Sequence, residues 1–283
     1  MTSAVHRRRF PTRLAKRAAR ILAISWIVFF WVWLIGFQAT FVEVDAEAYW
    51  NLDLSTLYSG VELGDQDAFL YSPLVAWLFL PFSWLPYEVF YAVLAAVNLA
   101  ALVWLLGFEL AAVALLLQPI SNEVARGNIH LLLAVAIVIG FRHSAAWAWV
   151  LLTKVTPGIG LVWFAFRREW SHLLRAAAWT LCAVVVSFAF ASDLWIRWFE
   201  MLAANAQSTR PSLLSVPVLP RMLAAAGLLA LGAWRGRPAI VPVAAMIALP
   251  AVWVNSLAML VAIIPLWRMG PSDHSGGART HLD

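Results

Sequence analysis

Residues 21–42 read ILAISWIVFFWVWLIGFQATFV, an uncharged stretch of 22 residues that decides the fold class of this chain. A helix needs about 20 apolar residues to cross the hydrocarbon core of a bilayer, so this stretch is long enough for one full span. The apolar region of a secretory signal peptide has only about 7–15 residues and is followed by small residues at a cleavage site. Here the stretch is longer, and its end at 36–40 is a poor cleavage signal. We therefore predict an uncleaved first membrane helix.

The composition of the whole chain agrees with a membrane protein. Of its 283 residues, 63% are hydrophobic and 12% are charged, whereas a soluble globular domain carries about 25% charged residues. A larger core does not account for this difference, because a soluble protein of this size still needs a polar surface. The single cysteine also excludes a disulfide-built secreted module. We exclude a soluble enzyme and a disordered chain, and predict an all-α polytopic membrane bundle of about ten segments, some of them short or re-entrant.

The charged residues are unevenly distributed, and their distribution predicts the topology. Residues 1–20 carry seven basic and no acidic side chains, whereas residues 43–67 carry seven acidic and no basic ones. Basic flanks stay in the cytoplasm, so we predict a basic cytoplasmic tail at 1–20 and an outer acidic loop at 43–68. We expect no nucleic-acid partner, because a basic end beside a membrane helix is typical of a topology signal that contacts anionic lipid.

The rest of the chain is predicted to form one transmembrane domain over 21–267, followed by a flexible cytoplasmic tail at 268–283. Within this domain we predict a full span at 87–106 and an outer connection at 122–128. Three prolines interrupt the apolar residues 69–86, which indicates an interfacial helix rather than a crossing. If this segment does not cross, the bases of the later loops fall on one side and both termini lie in the cytoplasm. This topology is that of a multi-pass protein of the cytoplasmic membrane.

A break in the apolar residues 145–166 predicts a cavity. Lys154 and Pro157 interrupt this stretch, which in the predicted topology enters and leaves the membrane from the cytoplasm as two half-helices. Non-helical backbone at membrane depth is tolerated only where protein buries it or where it lines a wet cavity. We therefore predict a cavity that opens toward the outer face.

Asp45 is the candidate catalytic carboxylate, because it lies just beyond the outer end of the first helix. A carboxylate at the mouth of an apolar cavity has a raised pKa and can act as a general base. Glu43 and Glu47 are alternatives for the same role. The competing interpretation is that all seven acids belong to a solvated outer loop.

Two cations are the matching candidates for binding an anion. Arg126 joins two short apolar runs, and Lys154 has apolar neighbours on both sides; an ionisable residue at membrane depth is by default a functional hypothesis. For Arg126 the alternatives are a side chain that reaches the interface or a local pair with Glu123. For Lys154 the alternative is structural pairing with a loop acid. Together with Asp45 they suggest a lipid-phosphate leaving group and an activated hydroxyl.

Aromatic and amide side chains near these positions suggest sugar contacts. Tyr49 and Trp50 follow Asp45, and Trp253 and Asn255 lie at a predicted break near Pro250. The competing interpretation is an interfacial aromatic belt, since the chain contains 17 Trp.

A set of short motifs in fixed order resembles the polyprenyl-phosphate-sugar-dependent membrane glycosyltransferases of the GT-C fold, in particular glycosyltransferase family 87, the actinobacterial alpha-mannosyltransferases. The motifs are Asp45 with Tyr49, Leu57-Tyr58, Phe69-Leu-Tyr71-Ser72-Pro73 before Leu80-Pro81, Gly127-Asn128-Ile129-His130, Lys154-Val-Thr-Pro157 before Arg167-Arg168-Glu169-Trp170, and Pro250-Ala-Val-Trp253-Val-Asn255. The resemblance covers about residues 21–267. The family more often has Gly-Gln-x-Asn at 127–130 and a His near position 255.

The resemblance implies an inverting transfer of a hexose, in the first place mannose, from a polyprenyl-phosphate donor to a lipid or glycan hydroxyl outside the cytoplasmic membrane. It implies no cofactor, and leaves open whether a divalent metal is needed. The implied roles are Asp45 as the base, Arg126, Lys154 and His130 as donor-phosphate ligands, and Glu47, Tyr49, Tyr71, Asn128, Trp253 and Asn255 as substrate-binding residues.

Two other functions fit the same sequence features. A transporter or flippase for lipid-linked sugars uses a similar cavity without bond chemistry, and matching broken helices in two halves favour it; the sequence shows one clear break of that kind, at 154–157. A non-catalytic membrane partner of another transferase would tolerate loss of both Asp45 and Lys154.

Overall fold

The computed structural model describes residues 13–37, 45–65, 68–206 and 212–269, and every regular element in these ranges is helical. The α-helices are α1 Arg13–Phe37, α2 Asp45–Trp50, α3 Pro73–Phe79, α4 Tyr87–Leu106, α5 Phe108–Ala114, α6 Gln118–Arg126, α7 His130–Gly140, α8 Ala146–Thr153, α9 Val162–Phe166, α10 Trp170–Phe190, α11 Ser192–Asn205, α12 Val218–Trp234, α13 Val241–Ile247 and α14 Ile263–Arg268. Short 3₁₀ helices lie between them at Leu80–Trp84, Thr156–Leu161, Pro238–Ile240 and Val254–Ala262. The predicted all-α fold class is confirmed.

Within the described ranges, three helices are long and apolar enough to cross a membrane, namely α1, α4 and α10. Helices α5 and α6 together qualify as a fourth span, but they are bent by 92° at the residues between them. Several shorter apolar helices accompany these spans. The number of ten membrane segments stays a prediction.

Helix α4 occupies the middle of the described bundle and has the bounds that the sequence indicates. It begins directly after Pro86 and ends at Gly107, whose φ is +79°. On one side the indole of Trp31 in α1 donates a hydrogen bond to the carbonyl of Ala92 at 2.9 Å. On the other side α4 packs against α7 and α6. It therefore fixes the position of the two helices that carry most of the candidate site.

The predicted break at 154–157 is present and is held rigidly. Helix α8 ends at Thr153, and Lys154 adopts an extended backbone with φ −132° and ψ 106°. The side chain of Trp147 in α8 is fully buried and fills the space beside two glycines. A Cβ atom at Gly140 or at Gly160 would lie 2.5 Å from its indole. This close packing joins α7, α8 and the following 3₁₀ helix, and so places Lys154 relative to α7.

Two segments differ from the expectation. Residues 122–128 were expected to form a connection, but residues 122–126 belong to α6, whose first turn contains Pro119, a position that suits proline. Its polar side chains make the sequence look like a loop, whereas Glu123 is buried among protein groups. The acidic segment 43–68 is likewise not only a loop, because its residues 45–50 form α2.

Other parts of the prediction lie partly or wholly outside the described residues. Residues 13–20 of the basic tail are the first turns of α1, while residues 1–12, 270–283 and Glu43 are not among the described ones. The interfacial segment 69–86 contains α3 and a 3₁₀ helix, and its placement at the interface stays a prediction.

Candidate active site

The turn between α6 and α7 brings the acidic end of α2 onto the basic end of α6. Gly127 ends α6 with φ +65°, a left-handed conformation that glycine adopts without steric cost. A Cβ atom at this position would lie 2.8 Å from the Cβ of Ala46. The absence of a side chain at Gly127 therefore lets α2 pack directly on the helix end, which places Asp45 beside Arg126.

Asp45 and Arg126 form an ion pair across this contact. The Nε of Arg126 donates to Oδ2 of Asp45 at 3.0 Å, and each side chain is 31% exposed. Ion pairs that are this open to water add little stability, typically about 0–1 kcal/mol. Both side chains thus stay accessible, and each can give up its ion-pair partner to bind a group of the substrate.

A second set of contacts leads from Lys154 into the interior. The Nζ of Lys154 lies 2.8 Å from Nε2 of His130, and Nδ1 of His130 lies 3.0 Å from Oε2 of Glu123. The other carboxylate oxygen of Glu123 accepts hydrogen bonds from the backbone N–H groups of His130 and Leu131. Glu123 therefore caps the N-terminus of α7, which has no cap from its own side chains.

The two sets of contacts belong to one site. Lys154 interacts electrostatically with Asp45 as well as with Glu123, and His130 also experiences the charge of Asp45. Three groups of the predicted site, Asp45, Arg126 and Lys154, are thus brought together from α2, α6 and the break after α8. The three side chains are partly exposed, and the surface that they form is called the cleft below. It offers a proton acceptor next to two cations that can hold a phosphate, while the cavity open toward the outer face stays a prediction.

An aromatic cluster packs against α2 next to Asp45. The hydroxyl groups of Tyr49 and Tyr71 lie 2.9 Å apart, Tyr58 donates to the carbonyl of Tyr71 at 2.8 Å, and the ring of Tyr49 stacks on Phe79 at 5.1 Å. Burial raises the pKa of the Tyr49 hydroxyl well above its usual value, and the neighbouring Tyr71 and Asp45 raise it further. Burial likewise raises the pKa of Tyr71. Both hydroxyls therefore stay protonated and serve as hydrogen-bonding groups.

The remaining predicted substrate-binding residues differ in exposure. Asn128 is buried, and its side-chain oxygen accepts the backbone N–H of Ile129 at 2.7 Å. Asn255 is buried in a 3₁₀ helix that packs on α6 and α7. Trp253 is 43% exposed, and Glu47 is partly exposed. Their contacts with a substrate stay predictions.

Sequence reasoning assigned no site role to Glu123 or Arg221. Glu123 was considered only as a local partner of Arg126, and that pairing is wrong, because Arg126 pairs with Asp45 and Glu123 with His130. Arg221 is buried in α12, where its guanidinium donates to the carbonyls of Leu249 at 2.6 Å and Pro250 at 2.7 Å. It thereby fixes the break before Trp253. No sequence pattern signals either contact. The contact of Arg221 joins distant parts of the chain, and the contact of Glu123 with His130 depends on the turn at Gly127.

Gly127→Ala is expected to lower both stability and activity. The left-handed backbone costs a non-glycine residue about 1–2 kcal/mol, and the added methyl group, at 2.8 Å from Ala46, adds an overpacking cost of about 1–3 kcal/mol. Because α2 must move away, Asp45 and Arg126 separate. Thermal unfolding in detergent, followed by tryptophan fluorescence, measures the loss of stability.

The control for this variant is Gly60→Ala. Gly60 has nearly the same φ, +68°, but a Cβ atom there meets no atom within 4 Å. It should show the backbone strain alone and keep full activity. Equal effects of the two substitutions would contradict the role of the contact between Gly127 and Ala46.

In the described part of the chain, the fold is helical, with helices long and apolar enough to cross a membrane, and the site brings a carboxylate and two cations together. The family model described as Glycosyltransferase family 87 matches residues 69–278. The chain therefore belongs to glycosyltransferase family 87. The match begins after Asp45, so the assignment of this residue depends on its position beside Arg126.

Two curated relatives carry the name polyprenol-phosphate-mannose-dependent alpha-(1-2)-phosphatidylinositol mannoside mannosyltransferase. The protein from Mycobacterium tuberculosis is 26% identical over 192 residues, which is 53% of this chain and 45% of the relative. The protein from Mycolicibacterium smegmatis is 27% identical over 168 residues, which is 47% of this chain and 38% of the relative. The matches thus span less than half the length of these relatives. No solved structure matches the chain.

Proposed function

We propose that this protein transfers mannose from polyprenyl-phosphate-mannose to a hydroxyl group of a lipid-linked acceptor. The observation that carries this proposal is the convergence of Asp45, Arg126 and Lys154 in one partly exposed cleft. Membership of glycosyltransferase family 87 supports the reaction class, and the names of the two mycobacterial relatives support the donor and the kind of acceptor.

The proposed reaction is a single displacement at the anomeric carbon of the donor sugar. The acceptor oxygen forms a bond to this carbon while the bond from the carbon to the phosphate oxygen breaks, which inverts the anomeric configuration. Asp45 accepts the proton of the acceptor hydroxyl. Arg126 and Lys154 stabilise the negative charge that develops on the departing lipid phosphate.

The ion pair between Asp45 and Arg126 also suggests an order of binding. The guanidinium of Arg126 occupies Oδ2 of Asp45 at 3.0 Å and so competes with an acceptor hydroxyl for that oxygen. A donor phosphate competes for the same guanidinium, and Arg binds phosphate in a favourable bidentate geometry. Donor binding therefore releases Asp45 to accept a proton, so we propose that the donor binds before transfer to the acceptor begins.

We place the cleft on the outer side of the cytoplasmic membrane. The basic residues before and within the start of α1 favour a cytoplasmic N-terminus, and Asp45 follows the uncharged stretch 21–42 on the other side. A donor that is itself anchored in the membrane can be used there without a soluble nucleotide sugar.

The proposal is tested with the purified full chain in lipid vesicles. We expect radiolabelled mannose to pass from polyprenyl-phosphate-mannose to added phosphatidylinositol mannoside, and no label to be transferred from GDP-mannose. Chromatography of the extracted lipids identifies the product. Movement of labelled donor across the vesicle membrane without a new glycoside would instead indicate a flippase, and transfer from GDP-mannose would contradict the proposed donor.

A further inference from the structure

Three ionisable side chains form one hydrogen-bonded row that leads from the interior to the cleft. They are Glu123, His130 and Lys154, called here the positioning triad. Glu123 and His130 have exposed side-chain fractions of 0% and 1%, whereas Lys154 is partly exposed. The row joins α6, the start of α7 and the break after α8, and its last member comes from a part of the chain 24 residues beyond His130. The buried Glu123 and His130 can therefore fix the position of Lys154 in the cleft.

The hydrogen bonds of the positioning triad have one fixed direction. Oε1 of Glu123 accepts from two backbone N–H groups, and its Oε2 faces Nδ1 of His130. The ammonium group of Lys154 is a donor only, so Nε2 of His130 accepts from it. Nδ1 of His130 must therefore carry the proton, and Nε2 presents a lone pair. Lys154 can only donate to that lone pair, at 2.8 Å. Both ring nitrogens of His130 are thus engaged within the protein.

The resulting arrangement leaves one group of the triad free to meet a substrate. Lys154 uses one of its three N–H donors on His130, and two remain for groups in the cleft. Burial of the Glu123 carboxylate is tolerated because the N-terminus of α7 and the Lys154 ammonium compensate its charge. Without the triad, the long lysine side chain has many rotamers and no fixed position.

We propose that Glu123 and His130 are positioning residues, which hold the ammonium group of Lys154 in place for the phosphate of the lipid-linked donor. This inference depends on the proposed function. It gives Glu123 a second role in addition to capping the N-terminus of α7. It also changes the expected role of His130, which acts through Lys154 rather than on the phosphate itself.

Three substitutions separate positioning from simple packing. Glu123→Gln keeps the shape of the side chain and still offers one oxygen to the backbone of α7. Its NH₂ group, however, points toward His130 or toward the backbone. Nδ1 of His130 then no longer has an acceptor that fixes its proton, and Nε2 is no longer held as the acceptor for Lys154. His130→Asn keeps a donor for Glu123 but does not reach Lys154. His130→Gln is the matched control, because its side-chain oxygen reaches the position of Nε2 and can still accept from Lys154.

The first measurement is steady-state kinetics with varied donor and varied acceptor. We expect His130→Asn and Glu123→Gln to lower kcat/KM for the donor by about 10–100-fold, since a misplacement near 1 Å can cost this much. The KM for the acceptor should stay unchanged, and His130→Gln should recover most of the loss. Unchanged donor kinetics in the folded His130→Asn and Glu123→Gln proteins would overturn the proposal.

The second measurement follows the lysine directly and does not require transfer activity. The chain has only two lysines, Lys16 and Lys154, and Lys16 is exposed in α1. Reductive methylation followed by mass spectrometry therefore reports Lys154 against an internal reference. We expect His130→Asn to increase the labelling of Lys154 several-fold, His130→Gln to change it little, and added polyprenyl phosphate to protect it in the native protein.

The two measurements show whether the positioning triad or the proposed function is wrong. Equal labelling of Lys154 in the native protein and in His130→Asn would show that the positioning triad does not hold the lysine. Absence of transfer and of protection by polyprenyl phosphate in the native protein would overturn the proposed function, and with it the role of the triad in donor binding.

Discussion

Asp45→Asn is expected to lower the rate of mannosyl transfer by about 10²–10⁴-fold, the usual contribution of a general base. The amide has the size of the carboxylate but cannot accept the proton of the acceptor hydroxyl. Because the substitution also frees Arg126 from its ion pair at 3.0 Å, donor binding should stay as tight or become tighter. Single-turnover transfer and the donor Kd, measured with the same purified protein, give the two quantities separately.

The control for Asp45→Asn is Glu200→Gln, which removes an exposed acid from α11. It should leave both transfer and donor binding unchanged. A fully active Asp45→Asn protein would refute the assignment of the base. Loss of donor binding together with loss of transfer would show that Asp45 organises the cleft instead of moving a proton.

Lys154→Met is expected to lower kcat/KM for the donor by about 10²–10³-fold, as removal of one group that stabilises a developing charge does. Methionine has an unbranched side chain of similar length but no charge, so the leaving phosphate loses one of its two cations. Lys154→Arg should retain part of the activity, because it keeps the charge but replaces a compact ammonium with a planar fork. Transfer assays with varied donor concentration measure both variants.

Lys16→Met is the matched control, since it removes the other lysine of the chain from an exposed position in α1. It should behave as the native protein does. Thermal unfolding of Lys154→Met must also be measured, because Nζ contacts His130 at 2.8 Å. A stable Lys154→Met protein with native kinetics would remove Lys154 from the proposed mechanism.

The sequence predicts those features that depend on local chemistry. Helix α4 has the expected bounds, 87–106, because Pro86 and Gly107 flank an apolar stretch of full length. The break at Lys154 follows from a charged residue and a proline within an apolar run. The same local reasoning fails for α6. Its polar side chains suggest a loop, because the sequence does not show which buried groups they pair with.

The pairing of charges across the site is not predictable in the same way. Asp45 and Arg126 are 81 positions apart, and they meet because α2 packs on the bundle with Ala46 against Gly127. Glu123 and Arg126 are three positions apart and therefore look like a helical ion pair, yet they face different partners. Charge and spacing identified the ionisable residues, whereas the fold decided which of them meet.

The formal charges of the four ionisable groups that pair in the site balance before any substrate enters. The two acids and two bases cancel: Asp45, Glu123, Arg126 and Lys154. In the proposed reaction a phosphodiester donor adds one negative charge, and the lipid phosphate left after transfer carries about 1.5–2 negative charges at neutral pH. Loss of the proton from Asp45 at that stage would place a further negative charge beside the phosphate, and like charges repel. We therefore expect the lipid phosphate to leave first, so that its departure, together with the return of Arg126, resets the base for the next turnover.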